Sequence, residues 1–261
     1  MKIFLKTEDE IQLMREANRL VGLTLAELAK NIRPGISTLQ LDKIADEFIR
    51  DHGAIPGFKG YGGFPGTLCI EVNDEVVHGF PSDYVLKDGD IVGLDCGAVL
   101  DGYNGDSCYT FPVGEVDESV LRLLKTTKES LYIGIDQAKA GNRIGHIGFA
   151  VQDYCERRGY TVVRELTGHG IGRKLHEEPD VPNYGKKGVG PLLRAGMVIC
   201  IEPMINMGSK NVTCDRNGWT IRTRDHKWSA HYEHCIAIRE DSTEILSTYD
   251  YIQEVLGDRF I

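Results

Sequence analysis

The stretch LKDGDIVGLD, Leu86–Asp95, has a counterpart later in the chain, LRAGMVICIE at Leu193–Glu202. In both copies a basic residue and a glycine lead into an apolar run that ends on a carboxylate. A second pair of segments, RPG at Arg33–Gly35 and KAG at Lys139–Gly141, lies at almost the same separation. Two pairs of similar segments with nearly equal separations indicate an internal duplication.

Each predicted half begins with two helices and continues as strands. Apolar residues recur at helical spacing, and Pro or Gly breakers end each run. The helices are predicted at residues 8–32, 39–51, 119–140 and 144–158. The strands are predicted at residues 68–72, 91–99, 108–113, 161–166, 197–205 and 235–239. We therefore expect one α+β domain, 1–261, built from two related halves of about 1–114 and 115–261.

The composition excludes several classes of protein. Hydrophobic residues make up 41% of the chain and charged residues 26%, which is typical of a globular domain. The chain has seven cysteines, an odd number, and no two of them are spaced Cys-x-x-Cys. This argues against a disulfide framework and a structural zinc knuckle. A net charge of -9 argues against a nucleic-acid surface, because phosphate binding needs clustered Lys and Arg. The chain offers neither a secretory signal nor an apolar run that could span a membrane, so we expect a cytoplasmic protein.

Two aspartates interrupt strand-like sequence on either side of a predicted tight turn. Asp95 follows the apolar run Ile91–Leu94, although Asp is depleted in strands and costly to bury alone. Asp106 follows the turn-like pair Asp101-Gly102. In a hairpin with a two-residue loop, two positions whose numbers sum to an odd value lie on one face of the sheet. The two carboxylates should therefore converge, and a bound cation would relieve their repulsion.

Three further residues extend this pattern into the second half. Glu202 ends the run Met197–Ile201 just before a proline, and Glu233 precedes the apolar run Cys235–Ile238. His169 lies in the glycine-rich TGHGIG, where the backbone can approach a ligand closely. Four carboxylates and one imidazole are typical ligands of a paired site for Mn, Fe(II), Co or Zn. The sequence therefore predicts divalent metal held by Asp95, Asp106, His169, Glu202 and Glu233.

Other catalytic motifs find no support in the sequence. HEEPD at His176–Asp180 begins like the zinc-protease motif His-Glu-x-x-His, but Asp180 stands at the second histidine and Pro179 breaks a helix. The glycine-rich Gly60–Gly66 lacks the Gly-Lys-Ser/Thr ending of a phosphate loop and is interpreted as a plain loop. Gly-x-Ser-x-Gly is absent, which argues against a serine hydrolase.

Together the motifs resemble those of the type I methionine aminopeptidases. The resemblance rests on Asp95 before DGYNGD at Asp106, on GHGIGRKLHEEP around His169, on IEPM around Glu202 and on SAHYEH around Glu233. It covers nearly the whole chain, and the ligand order Asp, Asp, His, Glu, Glu is specific to the pita-bread fold of these metallopeptidases. That fold implies two pseudo-symmetric halves around a central antiparallel sheet, with helices outside. The chain lacks both a zinc-finger extension and a helical insertion, which is typical of the short bacterial form.

The resemblance implies an enzyme that removes the initiator methionine from nascent polypeptides, preferably when the second residue is small. It implies two divalent ions, with Asp95 on one, His169 and Glu202 on the other, and Asp106 and Glu233 bridging them. A hydroxide shared by the ions would attack the first peptide bond.

The resemblance also assigns residues to catalysis and to substrate binding. Glu202 would carry the proton, His176 would stabilise the oxyanion, and His78 would contact the scissile amide nitrogen. The substrate would be contacted by His78 and His176 and by a methionine pocket of Tyr61, Phe64, Cys69 and Trp219. A monovalent cation would bind near Asn73 and Ser229.

Two positions depart from the family pattern. Leu175 stands where some relatives have an aromatic residue, and this change would loosen the methionine pocket. His231 stands where Gln is usual, and it places an ionisable group next to a metal ligand.

The implied partners are the N-termini of nascent polypeptides at the ribosome, and the expected state is a monomer without membrane or nucleic-acid contacts. Two other functions stay open. A prolidase or aminopeptidase P shares the fold but usually has a sizeable domain before its metal module, whereas here the first ligand is already Asp95. A non-catalytic binding module on this fold has typically lost ligands, whereas all five are present here.

Overall fold

The computed structural model describes residues 2–261, in which helices pack on the outer faces of antiparallel sheets. The helices are α1 (Glu8–Ala29), α2 (Thr38–Asp51), α3 (Glu118–Ile135), α4 (Ile144–Glu156) and α5 (Asp250–Leu256). The strands are β1 (Ile55–Pro56), β2 (Leu68–Val72), β3 (Glu75–Val77), β4 (Ile91–Leu100), β5 (Tyr103–Pro112), β6 (Thr161–Val162), β7 (Gly168–Gly170), β8 (Glu177–Val181), β9 (Val198–Ile201), β10 (Met204–Asn206), β11 (Val212–Cys214), β12 (Ile221–Thr223), β13 (Ser229–His231), β14 (His234–Ile238) and β15 (Thr243–Ile245). Short 3₁₀ turns lie at Tyr61–Gly63 and Gly257–Arg259.

The two copies of the repeated stretch form the middle strands of the two larger sheets. In the first half β4 contains Asp95 and pairs with β1 and β2 on one side and β5 on the other. In the second half β9 ends just before Glu202 and lies in the order β15-β14-β9-β7-β8. Smaller sheets, β13-β10-β6 and β11-β12-β3, flank them. The repeated stretch thus places Asp95 within the middle strand of one sheet and Glu202 at the end of the middle strand of the other.

Helices α1, α2 and α3 begin at residues whose side chains cap the first turn. Thr7 and Glu10 form a capping box at the start of α1, and Ser37 and Gln40 form one at the start of α2. The buried face of α1 packs against β4 and β5, whereas α3 packs against α4 and the strands of the second half. Within residues 2–261, no helix combines the length and the apolar character needed to cross a bilayer.

Some predicted boundaries were wrong. β5 begins at Tyr103, whereas the predicted strand began at Cys108. The prediction missed the first residues because they are mostly polar, although both faces of the strand are buried there. The strand predicted at 197–205 is divided into β9 and β10, since Pro203 has no backbone N–H to continue the ladder. The predictions also missed helix α5 and eight strands of five residues or fewer: β1, β3, β7, β8, β11, β12, β13 and β15.

Hydrogen bonds join β5 of the first half to the segment between β13 and β14 in the second half. Ser107 Oγ donates to the Glu233 carbonyl at 2.7 Å, and the Glu233 N–H donates to the Cys108 carbonyl at 2.9 Å. The Tyr249 hydroxyl lies 3.0 Å from the Glu233 nitrogen and donates to the Cys108 carbonyl at 2.6 Å. All four residues are buried. This seam fixes the backbone of Glu233 against the hairpin of the first half.

Removal of the Tyr249 hydroxyl is expected to weaken the seam. Tyr249→Phe deletes the bonds to Cys108 and Glu233 and should lower the free energy of unfolding by about 1–2 kcal/mol, measured by urea denaturation. Tyr251→Phe in α5 is the matched control, because no hydrogen bond joins that hydroxyl to any of residues 2–261. Equal losses from both substitutions would show that the seam hydroxyl has no special contribution.

Candidate metal centre

Asp95 and Asp106 lie on one face of the β4–β5 hairpin. A two-residue turn connects the strands, and the pairing places Asp106 opposite Gly97 and Asp95 opposite Cys108. The two aspartates are therefore diagonal neighbours on the same face, as their spacing in the sequence predicts. Gly97 is needed on this face because Phe58 packs directly over it, and a Cβ there would lie 2.5 Å from the ring.

The other three predicted ligands come from the second half. Glu202 follows β9 and Glu233 precedes β14, so both lie just beyond the last pair of the β9–β14 ladder. His169 is the middle residue of β7, which pairs with β9. A Cβ at Gly168 would lie 2.4 Å from the Cys200 carbonyl oxygen, so only glycine lets β7 approach β9 this closely.

The five predicted ligands line one cavity where the two larger sheets meet. Ligand atoms of Asp106, His169 and Glu233 lie within 4.8 Å of one another. His169 Nε2 is 3.8 Å from Asp106 Oδ2 and 3.6 Å from Glu202 Oε1. His169 Nδ1 lies 2.9 Å from the Gly170 carbonyl oxygen and donates to it, so Nε2 faces the carboxylates.

Two buried groups beside the predicted ligands were not recognised from the sequence. The Cys200 thiol lies within 4.8 Å of ligand atoms of three of the five, and a Glu71 oxygen lies within 4.8 Å of an Asp95 oxygen. Glu71 interrupts an apolar strand as Asp95 does, so the signal that identified Asp95 could also have identified Glu71. Cys200 carried no comparable signal, because a buried thiol is ordinary in a core strand.

Burial disfavours the charged form of the four carboxylates. It raises the pKa of Asp95 to about 8 and raises the pKa values of Asp106, Glu202 and Glu233 well above the usual range, with further increases from neighbouring carboxylates. Within residues 2–261, Asp95 Oδ1, Asp106 Oδ1 and Glu233 Oε1 are buried without a hydrogen-bond partner. Burial also lowers the pKa of His169 to about 3, so its ring is neutral and can act as a ligand. Divalent metal fits these residues, because it supplies both positive charge and partners for the unpaired oxygens.

The cavity that the five predicted ligands line has a volume of about 270 Å³. Its lining includes all the residues predicted to contact substrate: Tyr61, Phe64, Cys69, His78, His176 and Trp219. The Tyr61 hydroxyl lies 2.9 Å from His176 Nδ1, and the His176 ring is 4.3 Å from the ring of His169. The rings of Phe64 and Trp219 meet edge to face at 5.3 Å. The lining also includes apolar residues that were not predicted: Phe58, Val77, Leu166 and Met204.

The two positions that depart from the family pattern also line the cavity. Leu175 is buried and packs among the apolar residues of the wall. His231 is buried, with Nε2 3.9 Å from Glu202 Oε2.

Asn73 and Ser229, predicted to lie near a monovalent cation, are neighbours outside this cavity. The Ser229 N–H donates to the Asn73 carbonyl at 2.9 Å. The Asn73 side chain binds Asp90 and Ile91, and Ser229 Oγ donates to Asn206 Oδ1 at 2.9 Å. Both side chains are already hydrogen-bonded within the fold, and the cation site stays a prediction.

Comparison with known proteins identifies the family. The model of metallopeptidase family M24 matches residues 12–240, and the chain belongs to this family. Its relatives include a methionine aminopeptidase of Clostridium perfringens, which is 53% identical over 94% of this chain and 98% of that protein. The crystal structure of methionine aminopeptidase from Rickettsia prowazekii has a TM-score of 0.94 at 40% identity, covering 95% of this chain and 100% of that chain.

A solved prolidase defines how far the fold is shared. The prolidase of Pyrococcus horikoshii OT3 has a TM-score of 0.75 at 22% identity, covering 94% of this chain and 63% of that chain. This likeness concerns the fold alone. The predicted pita-bread fold and the resemblance to methionine aminopeptidases are both confirmed.

Removal of divalent metal is expected to destabilise the protein more as the pH rises. Burial raises the pKa of Asp95 to about 8, whereas an unfolded Asp titrates near pH 4. The folded carboxyl therefore holds a proton that the unfolded chain has already lost, and stability falls between about pH 4 and pH 8. Calorimetry should show that addition of Mn²⁺ raises the Tm of the chelated protein more at pH 8 than at pH 5. An equal or smaller rise in Tm at pH 8 would contradict the assignment.

Proposed function

We propose that this chain is a methionine aminopeptidase, which removes the initiator methionine from nascent polypeptides, preferably when the second residue is small. The observation that carries the proposal is that one cavity is lined both by the carboxylate cluster and by apolar side chains such as Phe64 and Trp219. A first side chain held in that cavity would bring the first peptide bond to the proposed ligands. The names of the Clostridium perfringens and Rickettsia prowazekii relatives support the same substrate.

The proposed cofactor is a pair of divalent ions, of Co, Mn, Fe(II) or Zn. Asp95 would hold one ion, His169 and Glu202 the other, and Asp106 and Glu233 both. Four ionised carboxylates carry four negative charges, which two divalent ions balance. When bound, such ions supply Lewis acidity that polarises a peptide carbonyl and lowers the pKa of water.

Glu202 is the proposed proton carrier. It is partly exposed at the cavity, whereas Asp95, Asp106 and Glu233 are buried. A carboxylate that the solvent and the substrate can both reach is able to accept a proton from water and deliver it to the departing amide nitrogen.

His176 and His78 are the proposed hydrogen-bond donors to the substrate. The Tyr61 hydroxyl at His176 Nδ1 leaves Nε2 free to donate to the oxyanion. Burial lowers the pKa of His78 to about 4 and also lowers the pKa of His176, so both rings are neutral at pH 7. Neutral rings donate one hydrogen bond each and add no positive charge beside the proposed ions.

The proposed substrate also suggests where the protein acts. Nascent N-termini are exposed at the ribosome, so we propose a cytoplasmic monomer that acts on chains as they emerge. The alternative prolidase activity is supported by a likeness of fold alone, as with the Pyrococcus horikoshii OT3 enzyme at 22% identity. The alternative of a binding module would not require the ligand set, and all five ligand residues line the cavity.

His176→Ala is expected to lower kcat by about 100-fold, because one donor to the oxyanion is lost. Bound metal, measured by elemental analysis, should stay close to the wild-type level. Asp106→Asn is the contrasting variant, since it removes a ligand that both ions would share, and it should lose metal and activity together. Loss of metal from the His176 variant would instead make that residue a ligand.

Substrate preference tests the proposed function directly. A panel of X-Ala-Ser peptides should show cleavage of methionine and, within about tenfold, of norleucine, because a largely apolar pocket distinguishes similar shapes weakly. Lysine should be rejected, because its ammonium group would lose water among the apolar side chains of Phe64, Cys69 and Trp219. Cleavage of Ala-Pro in preference to Met-Ala-Ser would identify a prolidase-type enzyme.

Leu175→Phe is expected to narrow the same panel toward methionine, because an aromatic ring would fill part of the wall that Leu175 forms. The measurement is the ratio of kcat/KM for methionine to that for leucine and phenylalanine. An unchanged ratio would show that residue 175 does not contact the first side chain.

A further inference from the structure

Two buried side chains near the carboxylate cluster have no role in the catalysis proposed above. Glu71 and His231 are each 3% exposed. Within residues 2–261, both carboxylate oxygens of Glu71 and both ring nitrogens of His231 are buried and lack a hydrogen-bond partner. A buried polar group without a partner costs about 1–3 kcal/mol. These atoms therefore call for a partner that the protein's own side chains do not supply directly.

The two side chains lie at a distance that one water molecule can bridge. A Glu71 oxygen, a His231 nitrogen and Cys108 Sγ lie within 4.8 Å of one another. No direct hydrogen bond joins Glu71 to His231. Two atoms that each lie about 2.8 Å from the same water are about 4.5 Å apart at a tetrahedral angle.

The backbone makes room for the Glu71 carboxylate. Glu71 is opposite Gly93 in the β2–β4 ladder. A Cβ at Gly93 would lie 2.7 Å from Glu71 Oε2, so a larger residue would displace the carboxylate. The same carboxylate lies within 4.8 Å of ligand atoms of Cys69 and Asp95. The pocket around Glu71 is thus enclosed by protein on several sides.

His231 connects this pocket to the proposed proton carrier, since its Nε2 lies 3.9 Å from Glu202 Oε2. We propose that Glu71 and His231 form a buried pair, joined through one water molecule, that positions Glu202. The inference rests on the proposed function, because Glu202 is both a proposed ligand and the proposed proton carrier.

The pair would determine which ring nitrogen of His231 carries the proton. A neutral imidazole has one donor and one acceptor. The bridging water binds Glu71 and donates one hydrogen to the ring nitrogen of His231 on that side. The ring proton then lies on Nε2, 3.9 Å from Glu202 Oε2, where it can be donated when that carboxylate moves closer. Hydrogen bonds to a ligating carboxylate orient it, and their loss typically lowers metal affinity or activity by about 10–100-fold. His231 is thus a positioning residue, and Glu71 acts through it.

The test compares Glu71→Leu, which cannot hold the water, with Glu71→Gln, which has the same shape and can. Glu71→Leu is expected to weaken Mn²⁺ binding by about tenfold in calorimetric titration and to lower kcat for Met-Ala-Ser by a similar factor, with KM within about twofold. Glu71→Gln should restore both values to within about threefold of the wild type. If Glu71→Leu does not fold, His231→Phe removes the donor from the other end and should give the same loss of Mn²⁺ affinity.

A His231→Gln background separates positioning from packing. A Gln amide carries its own donor whatever stands at residue 71, so adding Glu71→Leu there should change Mn²⁺ affinity by less than about twofold. A tenfold loss in both backgrounds would assign Glu71 to packing and overturn the pair. One extra equivalent of Zn²⁺ in the wild type that Glu71→Leu lacks would show that the pocket holds a cation, and would also overturn it. Metal affinity is measurable even if Met-Ala-Ser is not cleaved, so failure of the proposed function would be seen separately.

Discussion

Four carboxylates share one buried point in this protein, and their mutual repulsion is the constraint on which the rest of the structure depends. Burial raises the pKa values of all four, so the ionised cluster is stable only when cations offset its charge. The fold must therefore hold the ligands in place against their own repulsion. It does so with two antiparallel sheets, a hydrogen-bonded seam between β5 and Glu233, and glycines such as Gly97 and Gly168 where strands or rings approach closely.

The repeated stretch supplies a middle strand to each of the two larger sheets. Each copy of the repeated stretch is a middle strand, with neighbours on both sides that limit its movement. Asp95 on β4 and Glu202 after β9 are thus carried by well-supported backbone. The proposed substrate contacts differ in exposure, from Phe64 at 3% to Tyr61 at 46%. Tyr61 is thus accessible from the solvent, whereas the proposed ligands Asp95, Asp106 and Glu233 are buried.

Those parts of the site that obey local rules could be predicted from the sequence. The convergence of Asp95 and Asp106 needs only a two-residue turn and the alternation of a strand, and the observed register agrees. The approach of Glu202 to Glu233 depends on β14 pairing with β9 across a long stretch of chain, and no local pattern specifies that pairing. The polar start of β5 was missed because α1 covers it and Asn104 donates to the Gly172 carbonyl, so polar residues are satisfied in the interior.

The division of the proposed ligands between the two halves has a consequence for the order in which the protein matures. Asp95 and Asp106 belong to the first half, whereas His169, Glu202 and Glu233 belong to the second. A chain that grows from its N-terminus cannot complete the site until Glu233 has been made and β14 has docked beside β9. Acquisition of metal is then a late event that reports a finished fold. A truncated or half-folded chain would carry only part of the proposed ligand set, and on that proposal it would be inactive until its assembly is complete.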